Sequence, residues 1–166
     1  EIIITPKMSF GTGHHATAYG MMKAMLSLDF QEKMVLDMGC GTAVLAILAH
    51  LLGSNKVIAI DIEEWAYNNA LENISMNGSS NIVVHNGGKE KIEGEFDIIL
   101  ANINRNILIQ DMYAYSSHLL QSGLILFSGF YEQDLDLIKQ EANRQGLKYI
   151  SHNSKNNWVT AKFQKL

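Results

Sequence analysis

A single cysteine, Cys40, and a single proline, Pro6, stand among 166 residues. One thiol excludes an internal disulfide and points to a reducing compartment, so a cytoplasmic location is expected. With so little proline there is no proline-rich linker, and neither a repeat nor a low-complexity tract divides the chain, so one domain over residues 1–166 is expected. No apolar run approaches the roughly 18 residues that a membrane span needs, and no signal peptide is visible. Positive charge is not in excess either: Lys+Arg 13 against Asp+Glu 17 give a formal net charge of -4. Without a basic run, direct nucleic-acid binding is not expected. No Cys/His cluster has metal-ligand spacing, so no metal is expected. The chain opens on Glu1 in a strand-like Glu-Ile-Ile-Ile rather than on methionine, which reads as the edge of a longer protein.

What the chain does have is apolar residues, 47% of the total, in alternating strand-like and helix-like segments. Strand-like runs fall at Met34–Asp37, Val57–Asp61, Ile82–His85, Phe96–Ala101, Leu124–Ser128, Tyr149–His152 and Trp158–Phe163. Several are almost wholly apolar, as strands covered on both faces are. Between them lie helical stripes: Ala18, Met22, Met25 and Leu26; then Ala66, Tyr67, Ala70, Leu71 and Ile74; then Ile107, Leu108, Met112, Tyr115 and Leu119; then Leu135, Ile138 and Ala142. Strands interleaved with helices predict βαβ units, and hence a three-layer α/β sandwich on a mostly parallel sheet. Only an Asn-rich turn separates the last two strands, so the final one should run antiparallel.

The segment V-L-D-M-G-C-G-T-A-V-L ends a strand at Asp37 and turns through Gly39-Cys40-Gly41 into a helix. In a doubly wound sheet ligands bind at this turn, where glycine lets them approach the backbone. Asp37 can receive the ammonium of a bound amino acid, and the helix amides can meet its carboxylate. A tight turn with no ligand fits the same residues. A dinucleotide fingerprint requires a third glycine at position 44, where this chain has Val44, which argues against a nicotinamide oxidoreductase. In I-A-I-D-I, Asp61 ends the next strand, where its carboxylate can accept both hydroxyls of a ribose while Ile62 lies against an adenine. Asp61 can also simply cap a helix. Both elements together favour a ligand that carries a nucleoside.

D-M-G-C-G-T and A-I-D-I resemble the cofactor motifs of class I methyltransferases over nearly the whole chain. That resemblance implies S-adenosyl-L-methionine as cofactor and a Rossmann-like, seven-stranded sheet whose last strand inserts antiparallel between the fifth and sixth. Two further segments narrow it. M-S-F-G-T-G-H-H-A-T precedes the first helix, and A-N-I-N-R places Asn102 at the carboxyl end of the fourth strand. With V-L-D-M-G-C-G-T-A-V, they resemble the methyltransferases of ribosomal protein L-eleven (the PrmA family). By that resemblance the substrate is a large-subunit ribosomal protein, methylated on its terminal amine or on lysines. Phe10, Gly11, Thr12 and Thr17 join Asp37, Gly39, Gly41, Asp61, Ile62 and Asn102 as cofactor contacts, and Asn102 doubles as the catalytic residue that orients the amine. The chain departs from the family pattern at Ala16, at Ala18 and at Asn104-Arg105, and the family's N-terminal substrate-recruiting domain is not expected within residues 1–166.

Plainer roles remain for these residues. Gly11 and Gly13 can form a turn with Thr17 capping the next helix, and Asn102 can be a strand-end turn former. His14 and His15 can be ordinary loop residues, with His15 a weak candidate for the proton acceptor, and the other histidines and Cys40 read as structural. The alternative functions are a class I methyltransferase acting on glutamine amides or nucleic-acid bases, and a non-catalytic nucleoside-binding module. The first usually shows a Pro-Pro tetrapeptide where this chain has Asn-Ile-Asn-Arg.

Overall fold

The structure, a computed structural model, describes residues 1–5 and 13–166, with side chains from residue 16 onward in the first helix. Its elements run α1 (Gly13–Met25), β1 (Met34–Met38), α2 (Val44–Leu51), β2 (Lys56–Asp61), α3 (Glu64–Asn77), β3 (Ile82–Asn86), β4 (Phe96–Asn102), α4 (Arg105–Ser117), β5 (Leu119–Tyr131), α5 (Leu135–Arg144), β6 (Leu147–Lys155) and β7 (Trp158–Lys165). The seven strands form one sheet in the order β3-β2-β1-β4-β5-β7-β6. β7 alone runs against its neighbours, slotted between β5 and β6. No described helix is long and apolar enough to cross a membrane.

Alternation along the strands explains why they look uniformly apolar. Leu36, Ile60, Ile99, Ala101 and Phe127 face one core, packed by Leu108, Met112 and Tyr115 of α4 and by Ile138 of α5. Val35, Val57, Ala59, Ile98, Leu100 and Leu126 face a second, packed by Met21 and Met25 of α1 and by α2. Successive side chains point to opposite faces, so a strand covered on both sides has no polar face to show.

Several elements differ from the sequence reading. Glu1–Ile4 forms no strand, and the backbone of Ile3 is met by the Asn77 side chain of α3 instead. The α1 stripe is rotated: Met21 and Met25 are buried, while Leu26 is exposed. On α3, Leu71 is exposed and Asn69 and Asn73 are buried in its place. Leu119 belongs to β5 rather than to the α4 stripe, pairing with Phe96. β5 runs further at both ends than its apolar core, through Gln121-Ser122-Gly123, where Ser122 turns at φ 66 and the pairing with β4 shifts register.

The pairing brings the carboxyl ends of β1, β2, β4 and β5 level, with Met38 beside Ile60 and Ala101, and Asn102 beside Ser128.

Candidate functional site

The turn after β1 adopts left-handed backbone at Gly39 (φ 74), Gly41 (φ 53) and Ala43 (φ 70). A side chain at 39 would also meet Ile103 Cγ1 at 2.8 Å. Ala43 is a non-glycine in a region that costs about 1–2 kcal/mol, and nothing in the sequence marks it. The amides of Gly39 and Cys40 donate to the Ile60 carbonyl at 2.8 and 3.1 Å. Asp61 accepts from the Gly41 amide with Oδ2 and from the Glu63 amide with Oδ1, each at 2.9 Å. Asp61 thus serves the entry to α3, and it also locks the glycine turn to the end of β2.

Asp37 lies beneath this turn, fully buried, with neither carboxylate oxygen hydrogen-bonded. Burial above all, then the nearby Asp61, pushes its carboxyl up to about 7; the Ala46 amide approaches without forming a hydrogen bond and offsets only part of this. Burial first, and then the same two carboxylates, push the Cys40 thiol far above its ordinary range, so it is no nucleophile.

Above the turn opens a cleft of about 460 Å³ lined by Gly39, Asp61, Ile62, Gly87, Gly88, Asn102, Ile103, Ile107 and Tyr115, among others, within the size range of small-molecule sites. Ile62 is 73% exposed at its mouth. A Lys89–Asp111 ion pair of 3.2 Å also lines it, and the buried Tyr115 hydroxyl has no hydrogen-bond partner. A hollow of about 520 Å³ lies at the opposite end of the sheet, by Lys33, Asp97 and Gly123, whereas sheets of this kind bind ligands at the carboxyl ends of their strands.

The structure therefore brings Gly39, Asp61, Ile62 and Asn102 onto one wall. Asp37 sits behind it, Gly41 contributes through its bond to Asp61, and Thr17 is buried on α1 away from the lining. Phe10, Gly11 and Thr12 lie outside the described residues. Sequence reasoning missed Gly87, Gly88, Ile103, Ile107 and Tyr115. Only the Gly-Gly pair after β3 offered a signal.

The end of β4 is held from behind. The Ile103 amide donates to the Ser128 carbonyl at 3.1 Å, and Asn104 caps α4 by accepting from the Ile107 amide at 3.1 Å. Gly129 (φ 98) lies so near that a Cβ there would stand 2.5 Å from the Ile103 carbonyl oxygen. Gly129→Ala is thus expected to cost about 2 kcal/mol or more, from left-handed strain and a backbone clash. Urea denaturation checks this, and an unchanged midpoint would mean that segment 102–104 yields freely.

A second hollow, about 400 Å³, lies on the other side of that segment, lined by Asn104, Arg105, Gly129, Tyr131, Asp134 and Trp158 among others. The Tyr131 and Trp158 rings stand 4.1 Å apart. Arg105 donates to Asp134 at 2.8 Å.

The family model "Ribosomal protein L11 methyltransferase (PrmA)" matches residues 1–166. The chain belongs to this family. Among curated relatives, the ribosomal protein L11 methyltransferases of Phocaeicola vulgatus and Porphyromonas gingivalis are each 46% identical over 165 residues, 98% of this chain, which covers 59% and 57% of theirs. The chain thus spans less than two thirds of the length of these relatives. The crystal structure of ribosomal protein L11 methylase from Lactobacillus delbrueckii subsp. bulgaricus superposes with a TM-score of 0.87 at 29% identity, over 93% of this chain and 81% of that one.

Methyltransferases of this family use S-adenosylmethionine, and the residues present fit it. A buried carboxylate without a partner waits under the glycine turn, Asp61 spends one lone pair on each amide it holds, and an exposed isoleucine flanks the mouth. The apolar lining from Ile62, Ile103 and Ile107 suits a flat heterocycle.

Proposed function

We propose that the chain transfers the methyl group of S-adenosylmethionine to amino groups, the terminal amine or lysines, of a large-subunit ribosomal protein, in the cytoplasm. The observation that supports this reading is Asn102 at the carboxyl end of β4, lining the nucleoside cleft two residues before Asn104, which lines the Tyr131–Trp158 hollow. Asp61 holds the ribose and Ile62 the adenine, while Asp37 balances the charge of the cofactor's amino-acid end. By the family resemblance, Phe10, Gly11 and Thr12 complete the cofactor's surroundings, whereas Thr17, buried on α1, supports them from behind.

When bound, S-adenosylmethionine supplies an activated methyl group with its own leaving group, so the chain needs no nucleophile. What the chain must do is align the two reactants, worth up to roughly 7–11 kcal/mol of barrier. It must also present the amine neutral. A terminal amine has an ordinary pKa of about 8, lysine about 10.4. The faces of Tyr131 and Trp158 suit the aliphatic stem of that side chain. Asn102 then accepts a hydrogen bond from the amine through its side-chain oxygen and fixes the direction of its lone pair.

Radiolabelled methyl transfer to purified ribosomal proteins tests the assignment. Label is expected on one protein and absent once its amines are acetylated; label in RNA instead would overturn the reading. Trp158→Ala is expected to raise KM for the acceptor about tenfold while leaving cofactor affinity alone, the scale of a lost aromatic anchor. An unchanged KM would remove the hollow from acceptor binding.

A further inference from the structure

Helix α3 carries Asn69, Asn73 and Asn77 at four-residue spacing, on one face. Asn69 and Asn73 are 1% and 0% exposed. Their partners are residues 3–5. The Ile3 amide donates to Asn77 Oδ1 at 2.9 Å, and the Ile3 carbonyl accepts from Asn77 Nδ2 at 2.6 Å. The Thr5 amide donates to Asn73 Oδ1 at 2.8 Å, and the Thr5 carbonyl accepts from Asn69 Nδ2 at 2.7 Å. Alternate residues of an extended segment are thus satisfied on both backbone groups, as a neighbouring strand would satisfy them, with carboxamides in place of a backbone.

Asn73 does one thing more. Its Nδ2 donates to the Thr42 carbonyl at 2.9 Å, inside the glycine turn. One fully buried side chain therefore holds the extended segment with its oxygen and the cofactor turn with its nitrogen. We propose that Asn73 is a positioning residue for the cofactor: it couples the shape of the glycine turn to the docking of residues 3–5, so that each stabilises the other.

The physical reason lies in the turn. Residues 39, 41 and 43 all take left-handed backbone, a shape that persists only while its surroundings enforce it. With the Asn73 amide gone, the Thr42 carbonyl loses the donor that satisfies it, and the turn relaxes to find water. Cofactor affinity is then scaled down to the fraction of molecules that keep the competent turn. Reciprocity requires that cofactor binding in turn secure residues 3–5.

This inference rests on the reading that the turn receives S-adenosylmethionine, and its test separates the two. S-adenosylmethionine is titrated calorimetrically into the wild type, Asn73→Ala, Asn77→Ala and Val84→Ala. The last shortens a buried side chain of β3 outside the cleft lining, and so lowers stability without touching the turn. Asn73→Ala is expected to weaken binding about tenfold, the scale of one buried carbonyl left without its donor. Asn77→Ala, which releases Ile3 and leaves Thr42 held, is expected to weaken it less, and Val84→Ala not at all. Amide exchange supplies a readout independent of affinity: the cofactor is expected to slow exchange at Thr5 in the wild type but not in Asn73→Ala. A wild type that does not bind S-adenosylmethionine sinks the cofactor reading itself. A wild type that binds, beside a folded Asn73→Ala or Asn77→Ala of equal affinity or an unchanged Thr5 exchange rate, sinks the coupling alone.

Discussion

Asp37→Asn is expected to make the cofactor-free protein more stable at pH 8 and to weaken its affinity for S-adenosylmethionine at least a hundredfold. In the folded chain the Asp37 carboxyl titrates at about 7 against an ordinary 3.8, through burial first and Asp61 second. Between those two values the native state holds a proton that the unfolded chain has released. Stability therefore falls as pH rises from about 4 to about 7, and stays low above that. A rise of about three units corresponds to roughly 4 kcal/mol by pH 8, in order of magnitude. Asparagine has nearly the same shape and nothing to ionise, so the variant should show no such loss, gaining most over the wild type at pH 8 and little at pH 4. Urea denaturation across this range measures it.

The same substitution withdraws the negative charge that meets the cofactor's cationic end, so calorimetry at pH 8 should find affinity reduced at least a hundredfold, about the loss when one partner of a buried charge pair is removed. For the wild type, affinity should climb as pH passes 7 and the carboxyl ionises. A variant less stable than the wild type at pH 8, or one that binds the cofactor as tightly, would leave Asp37 without the assigned role. An unpartnered buried acid is a stability cost that the fold bears for the sake of its ligand.

How much of this the sequence disclosed depended on whether a residue's partner was near in the chain or general in kind. The strands were legible because burial on both faces leaves unbroken apolar runs such as Phe96–Ala101. Gly39 and Asp61 were legible because a strand end followed by glycine or acid is a local pattern. The asparagines of α3 were not. On a helix Asn69 and Asn73 look like solvent-facing residues, and the backbone groups they satisfy lie 31 to 68 positions earlier. The reverse error came from the same source: Leu26 and Leu71 are apolar and match helical spacing, yet tertiary packing turned them outward. Glu1–Ile4 has the β-branched composition of a strand, and the Ile3 backbone is indeed paired, but by a side chain, Asn77. Gly129 carried no signal because its need is for one close approach, to Ile103, that only the packed sheet creates.

Asn102→Ala is expected to lower turnover about a hundredfold while changing cofactor affinity less than threefold, because a misplaced reactant costs rate far more than binding. Among the described residues no hydrogen bond ties the Asn102 side chain into the fold, so its removal leaves no structural bond unmade, and the backbone around it stays fixed by Ser128, Gly129 and the Asn104 cap. Asn102→Asp separates orientation from charge. An aspartate keeps an oxygen in place but favours the ammonium form of the acceptor, so the amine surrenders its proton only at higher pH. The rate profile of Asn102→Asp should therefore shift to the alkaline side, with much of the turnover restored at high pH, whereas Asn102→Ala should remain slow at every pH. If alanine turns over as fast as asparagine, the amine is aligned by something else. If aspartate is slow at all pH values with an unshifted profile, the side-chain oxygen is not what the amine meets, and the aromatic hollow alone must set its approach.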